Sequence, residues 1–228
     1  MMKGLMPSPI GHALAGVAVA WAGAPSLDRT LTLTAASLAM LPDVDLLGRL
    51  FGGPFAGAHR TVTHSIGAVI VVTIIAAVVT AKVTRRNRAR IVAVCAAAYA
   101  SHLVLDWLGV DTTFPYGLQA LWPFSDRFYI SGWDIFGPTA RIGLFTAPTM
   151  LVNLKAVVQE TAILGPIVLL LWLVRTGRVA STSKSPGPTS GQAVRRPPSG
   201  GVADTAGTSD RRGRRASRSG SRGRRRGR

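Results

Sequence analysis

The 228-residue chain contains four histidines, and two of them, His59 and His64, stand five residues apart in AHRTVTHS (58–65), at the entrance to a long apolar run. His12 and His102 also sit at the edges of apolar runs, so none of the four falls in ordinary polar loop sequence. His102 and Asp106 are spaced i, i+4, which in a helix puts both on one face a turn apart and suits two ligands of one metal ion. An ionisable pair inside an apolar span costs a few kcal/mol unless it is partnered, and so marks a functional candidate. A His–Asp hydrogen bond that merely ties helices together would have the same spacing. LPDVD (41–45) presents Asp43 and Asp45 just after a helical stretch, where two carboxylates repel unless a cation lies nearby. A solvated, helix-ending loop of acids is the competing reading. Half of the eight acidic residues before position 175, Asp43, Asp45, Asp106 and Glu160, fall at one expected depth.

Imidazole with carboxylate and no thiolate suits zinc, manganese or iron. The eight candidate donors His12, Asp43, Asp45, His59, His64, His102, Asp106 and Glu160 suffice for one or two divalent ions, zinc above all. Such an ion lowers the pKa of a bound water toward 7, a spare aspartate, Asp43 or Asp45, takes its proton, and Arg60 grips a phosphoryl oxygen with paired N–H groups. The chemistry expected is hydrolysis of a phosphate ester.

An all-α membrane bundle must position these groups. Residues 65–81 carry no charge over 17 residues, about 25 Å of helix, which just spans a bilayer core. Residues 91–108 and 161–174 are similar, and two further helices are expected at 10–23 and 29–41, separated by the breaker GAPS, for five apolar helices in all. Lys3, the following apolar stretch and Ala22-Gly23-Ala24 also imitate a secretory signal peptide. Pro25, just after the cut, fits a peptidase poorly, and cleavage would discard His12. Five cationic residues in 82–90 and the basic tail place both segments in the cytoplasm by the positive-inside rule, so the candidate site is expected at the extracytoplasmic end. The connection 109–148 holds nine of the fifteen aromatics, which suits a lid at headgroup level or an interfacial anchor without a catalytic part. Cys95 can form no internal disulfide and reads as a small packing residue.

Charge divides the chain differently. Fifteen of the 27 Lys and Arg lie between Arg175 and Arg228 against two Asp, a net of +13, which leaves +4 for residues 1–174. We therefore expect a membrane-embedded domain over 1–176 and a disordered Arg/Gly/Ser-rich tail over 177–228. The tail lacks aromatics that would stack on bases, so anionic lipid is favoured over nucleic acid as its partner, with a purely solubilising role equally open.

Taken in order, GHALAG (11–16), LPDVD, HRTVTHS (59–65) and SHLVLDW (101–107), followed by YGLQALWPF, resemble the YdjM-type inner-membrane metal-dependent hydrolases, sometimes described as LexA-binding. The resemblance covers residues 4–174. Its motif order is similar to that of the all-helical zinc-dependent phospholipase C and P1-nuclease group, whose His, Asp, His and HxxxD donors bind a zinc cluster that cleaves phosphate esters. The resemblance implies His12, Asp43 or Asp45, His64, His102 and Asp106 as ligands or general base. Further histidines of the soluble group have no counterpart here, and Glu160 is the residue that could fill one gap. A lipid substrate at the bacterial inner membrane is the expectation; a non-catalytic metal-binding or regulatory membrane protein, with a protein partner, is the alternative.

Overall fold

The computed structural model describes residues 4–5, 7–24, 27–46, 59–85, 87–140 and 143–183. Its architecture is all-α. Among the described residues there are five α-helices, α1 (Pro9–Gly23), α2 (Arg29–Met40), α3 (Ile66–Val83), α4 (Arg88–Leu108) and α5 (Ala147–Ser183). Short 3-10 turns follow α2 (Leu41–Asp45) and precede α3 (Val62–His64), and β1 (Gly4–Leu5) pairs antiparallel with β2 (Thr139–Ala140).

Local signals set the helix starts. Ser8 accepts from Gly11 N with Pro9 in the first turn, Asp28 accepts from Thr30 N and Leu31 N, and Ser65 accepts from Ala68 N. Each such cap contributes about 1 kcal/mol. α1 and α2 form a hairpin on α4 through small residues: Ala20, Ala24, Leu31, Ala35, Val94 and Ala98 make a dry core. Gly16 is needed there, since a Cβ would lie 2.6 Å from the Ala35 carbonyl oxygen.

The five expected apolar helices are all present. Among the described residues, three of them are long and apolar enough to cross a membrane: α3, α4 and residues Ala147–Gly177 of α5. α1 has 15 residues and α2 only 12, about 18 Å for the latter against a hydrocarbon core of about 30 Å. α5 also begins at Ala147 rather than 161, because Asn153, Lys155, Gln159 and Glu160 interrupt the apolar run without interrupting the helix. It continues through Pro166 to Ser183, and the remainder of the expected disordered tail lies outside the described residues.

The connection after α4 folds back onto that helix, with Val110 N donating to Phe136 O and Ile135 N to Leu108 O. It also serves α3, whose first N–H groups at Ile66 and Gly67 donate to the carbonyls of Ala120 and Trp122. Phe114, Phe124, Trp133 and Phe145 project outward, each at least 69% exposed, which fits contact with an apolar phase. The ends of α1, α2, α3 and α4 meet beneath this connection, and every candidate histidine lies there.

Candidate metal centre

Ser8 fixes the first residue of α1 and hence His12 one turn on. Its N–H donates to Glu160 Oε1 at 2.6 Å and its hydroxyl to Glu160 Oε2. Gly11 allows α5 this close, because a Cβ would fall 2.6 Å from Glu160 Oε2. The His12 ring stacks on His102 with centroids 3.8 Å apart, and its Nε2 lies 3.3 Å from Asp106 Oδ1.

His102 comes from the last two turns of α4, with Nδ1 2.7 Å from the Ala39 carbonyl at the end of α2. A carbonyl only accepts, so Nδ1 carries the hydrogen and Nε2 of the neutral ring presents a lone pair. That nitrogen is 3.1 Å from His64 Nε2, 3.3 Å from Asp106 Oδ2 and 3.9 Å from Asp43 Oδ1. His64 Nε2 is in turn 3.4 Å from Asp106 Oδ2 and 3.7 Å from Asp43 Oδ1. His64 Nε2, His102 Nε2 and Asp106 Oδ2 thus form one triangle of donors, with Asp43 Oδ1 of a third segment beside the two imidazoles. Donors each about 2.1 Å from a tetrahedral zinc ion stand about 3.4 Å from one another, so the triangle fits three ligands of one ion and leaves its fourth position open.

Three overlapping groups of donors could hold a metal ion: His64, His102 and Asp106; His12, Asp43 and His102; and Asp43, His59 and His64. The shared membership of Asp43, His64 and His102 leaves room for one ion or two. Among the described residues, the buried atoms His12 Nδ1 and Asp106 Oδ1 have no hydrogen-bond partner, and His12, His64, His102 and Asp106 are at most 2% exposed. Buried polar atoms in proteins are nearly always satisfied, so these orphans are what a site built for a cation leaves behind. Asp43 is the open edge, its side chain 16% exposed.

Asp45 stands behind this array rather than in it. It accepts from His59 Nδ1 at 2.8 Å and Thr63 Oγ1 at 2.8 Å, and lies 3.4 Å from His64 Nδ1. Burial would raise the Asp45 carboxyl, but the hydrogen bonds from His59 and His64 prevail and hold it well below the usual carboxylate range. Asp45 belongs to none of the three donor groups, and a carboxylate so acidic is a poor proton acceptor near neutrality. Burial pushes the His59 imidazole down despite Asp45, keeping that ring neutral. Burial also acts to lower His64, yet Asp43, Asp45 and Asp106 outweigh it and raise the ring to about 9.

Two other expectations are corrected. Glu160 belongs to none of the metal groups; it lies well inside α5 and clamps the start of α1, so it orients His12 instead of binding an ion. Arg60 is not a free phosphate grip: it is 4% exposed and its guanidinium pairs with Asp111. Its backbone sits in the left-handed region at φ 68°, with its carbonyl accepting from Gln119 N. Asp111, missed in the sequence, also accepts from Thr113 N and Gly117 N. The Asx turn in DTT was its only sequence signal. Tyr99 was missed too; its hydroxyl donates to Thr63 O and steadies the turn that carries His64.

A family model described as YdjM inner membrane protein matches residues 6–181. The chain is 29% identical over 133 residues to Inner membrane protein YbcI of Escherichia coli (strain K12), covering 57% of this chain and 75% of that one. No solved structure matches.

Proposed function

Because the chain belongs to the YdjM inner membrane protein family, we propose that its His/Asp cluster is the centre of a metal-dependent hydrolase of the bacterial inner membrane, acting on phosphate esters. The observation that carries this reading is the triangle of His64 Nε2, His102 Nε2 and Asp106 Oδ2, 3.1–3.4 Å on a side, with Asp43 Oδ1 3.7–3.9 Å from the two imidazole nitrogens at its open edge. Zinc held there supplies a Lewis acid and a water whose pKa falls toward 7.

The chain's own residues do the rest. Ala39 fixes the His102 tautomer, and Asp45 with Thr63 fixes the His64 ring from its Nδ1 side. His12 holds Asp106 from below, and Glu160 holds His12 by clamping Ser8. Asp43, at the open edge, is placed to take a proton from a water approaching the cluster. Hydrolysis then joins the water oxygen to phosphorus and breaks the ester P–O bond, and the leaving oxygen receives the proton. Arg60, locked by Asp111, tethers the turn carrying His59 to the connection after α4. By the positive-inside rule the basic connection between α3 and α4 faces the cytoplasm, which puts the cluster on the extracytoplasmic side and the basic tail inside, near anionic lipid.

The near-complete enclosure of His12, His64 and His102 favours a second reading, a protein that holds a metal ion without turnover and answers to a regulatory partner. Metal analysis of the detergent-purified protein, with p-nitrophenyl phosphate and phosphatidic acid as substrates, separates the two. The hydrolase reading expects bound zinc and phosphate release, both lost in His102→Ala and Asp106→Ala. Zinc without cleavage in the parent protein favours the second reading, and zinc retained by both variants rules out the site.

A further inference from the structure

α2 and α3 both pack on α4 but leave a groove between them. It is an apolar cavity of about 700 Å³, walled by Leu31 and Leu38 of α2 and Val72 and Val79 of α3, with Ile91 and Cys95 of α4 as its floor. One end is Leu41, the first residue of the turn that carries Asp43. The other end is closed by Asp28 and Asn87, the residues that precede α2 and α4. The 12 residues of α2 between these ends measure about 18 Å. Two of its three walls, α3 and α4, are long and apolar enough to cross a membrane, so the open side meets hydrocarbon.

We propose that this groove binds one hydrocarbon chain of a membrane phospholipid, so that the lipid's phosphate headgroup lies at the Asp43 edge of the cluster. An extended hydrocarbon chain about 18 Å long fits between Leu41 and Asp28, and its surroundings are continuous with the lipid-facing surface of α3. At the headgroup end a cation-holding cluster complements a phosphate. A water-soluble ester would use only the Asp43 opening and leave the apolar length of the groove without purpose. The headgroup half of the proposal rests on the phosphoesterase reading; the chain half rests on the groove alone.

The test uses the full chain in phosphatidylglycerol vesicles containing phosphatidic acid with a diazirine at the end of one acyl chain. Ala76 lines the groove, whereas its neighbour Ala77 is exposed and outside it. After irradiation, label is expected on peptides of α2 and the facing side of α3. Ala76→Trp should reduce it at least about fivefold and Ala77→Trp leave it unchanged. Thr34→Trp, filling the groove from α2, repeats the test if Ala76→Trp does not fold. Ala76→Trp and Thr34→Trp should lose cleavage of the long-chain lipid but keep cleavage of p-nitrophenyl phosphate, and Ala77→Trp should keep both. Labelling without cleavage of either ester would leave the groove and remove the hydrolase. Cleavage of p-nitrophenyl phosphate with label spread evenly around α3, or label equal in Ala76→Trp and Ala77→Trp, would overturn the groove.

Discussion

The two ends of the α1–α2–α4 unit are built on opposite terms. In one half, Ala20, Ala35 and Ala98 are wholly buried, and Gly16 lets α1 and α2 meet backbone to backbone. In the other, the same helices bury three imidazoles and a carboxylate, with two polar atoms lacking partners. The first half gains close packing from small side chains at little entropic cost. The second concentrates ionisable groups where an unpaired one costs several kcal/mol, an arrangement that stability alone would not favour. Packing therefore resides in one half, and the polar cluster of the other is the part that function explains.

The contrast breaks most sharply at the ligands. His102→Ala and Asp106→Ala should each weaken zinc binding by more than about 100-fold, measured by competition with a chelating dye, while helix content by circular dichroism stays unchanged. Gly16→Val tests the other half: the Cβ would meet the Ala35 carbonyl oxygen, and a loss of about 1–3 kcal/mol should appear in thermal unfolding. If Gly16→Val left stability untouched and abolished zinc binding, the division of labour proposed here would be wrong. Asp45→Asn, which removes the acceptor behind His59 and His64, should cost about 10–100-fold in zinc affinity without eliminating it.

A further effect concerns pH. His64, raised from 6.5 to about 9 in the metal-free protein, must shed its proton to bind an ion. Zinc affinity should thus rise by up to about tenfold per pH unit below 9 and flatten above it. The metal-free protein should move the other way, since the stability that His64 contributes is fully present below 6.5 and lost as pH rises through 9. Isothermal titration and chemical unfolding across pH 6–10 would check both signs.

Much of the cluster was legible because its signals are local. The i, i+4 pair His102 and Asp106, the LPDVD turn and the histidines at the edges of apolar runs all carry their geometry in their spacing. The apolar helices α3 and α4 were legible for the same reason. Partners distant in sequence were not. Nothing near Glu160 indicates that it meets Ser8, 152 residues away, and nothing near Arg60 indicates Asp111. α5 was read at well under half its length because polar residues break a hydropathy pattern long before they break a helix. Asp45 illustrates the remaining limit: spacing identifies a pair of carboxylates, but only their neighbours decide which one binds and which one orients.

X-ray absorption at the zinc edge of the purified, zinc-loaded protein tests the central claim most directly. We expect a shell of nitrogen and oxygen donors at about 2.0–2.1 Å, with imidazole scattering and no sulfur, that is lost in His102→Ala. A protein that retains no zinc, or a variant with the parent's unaltered shell, would contradict the account.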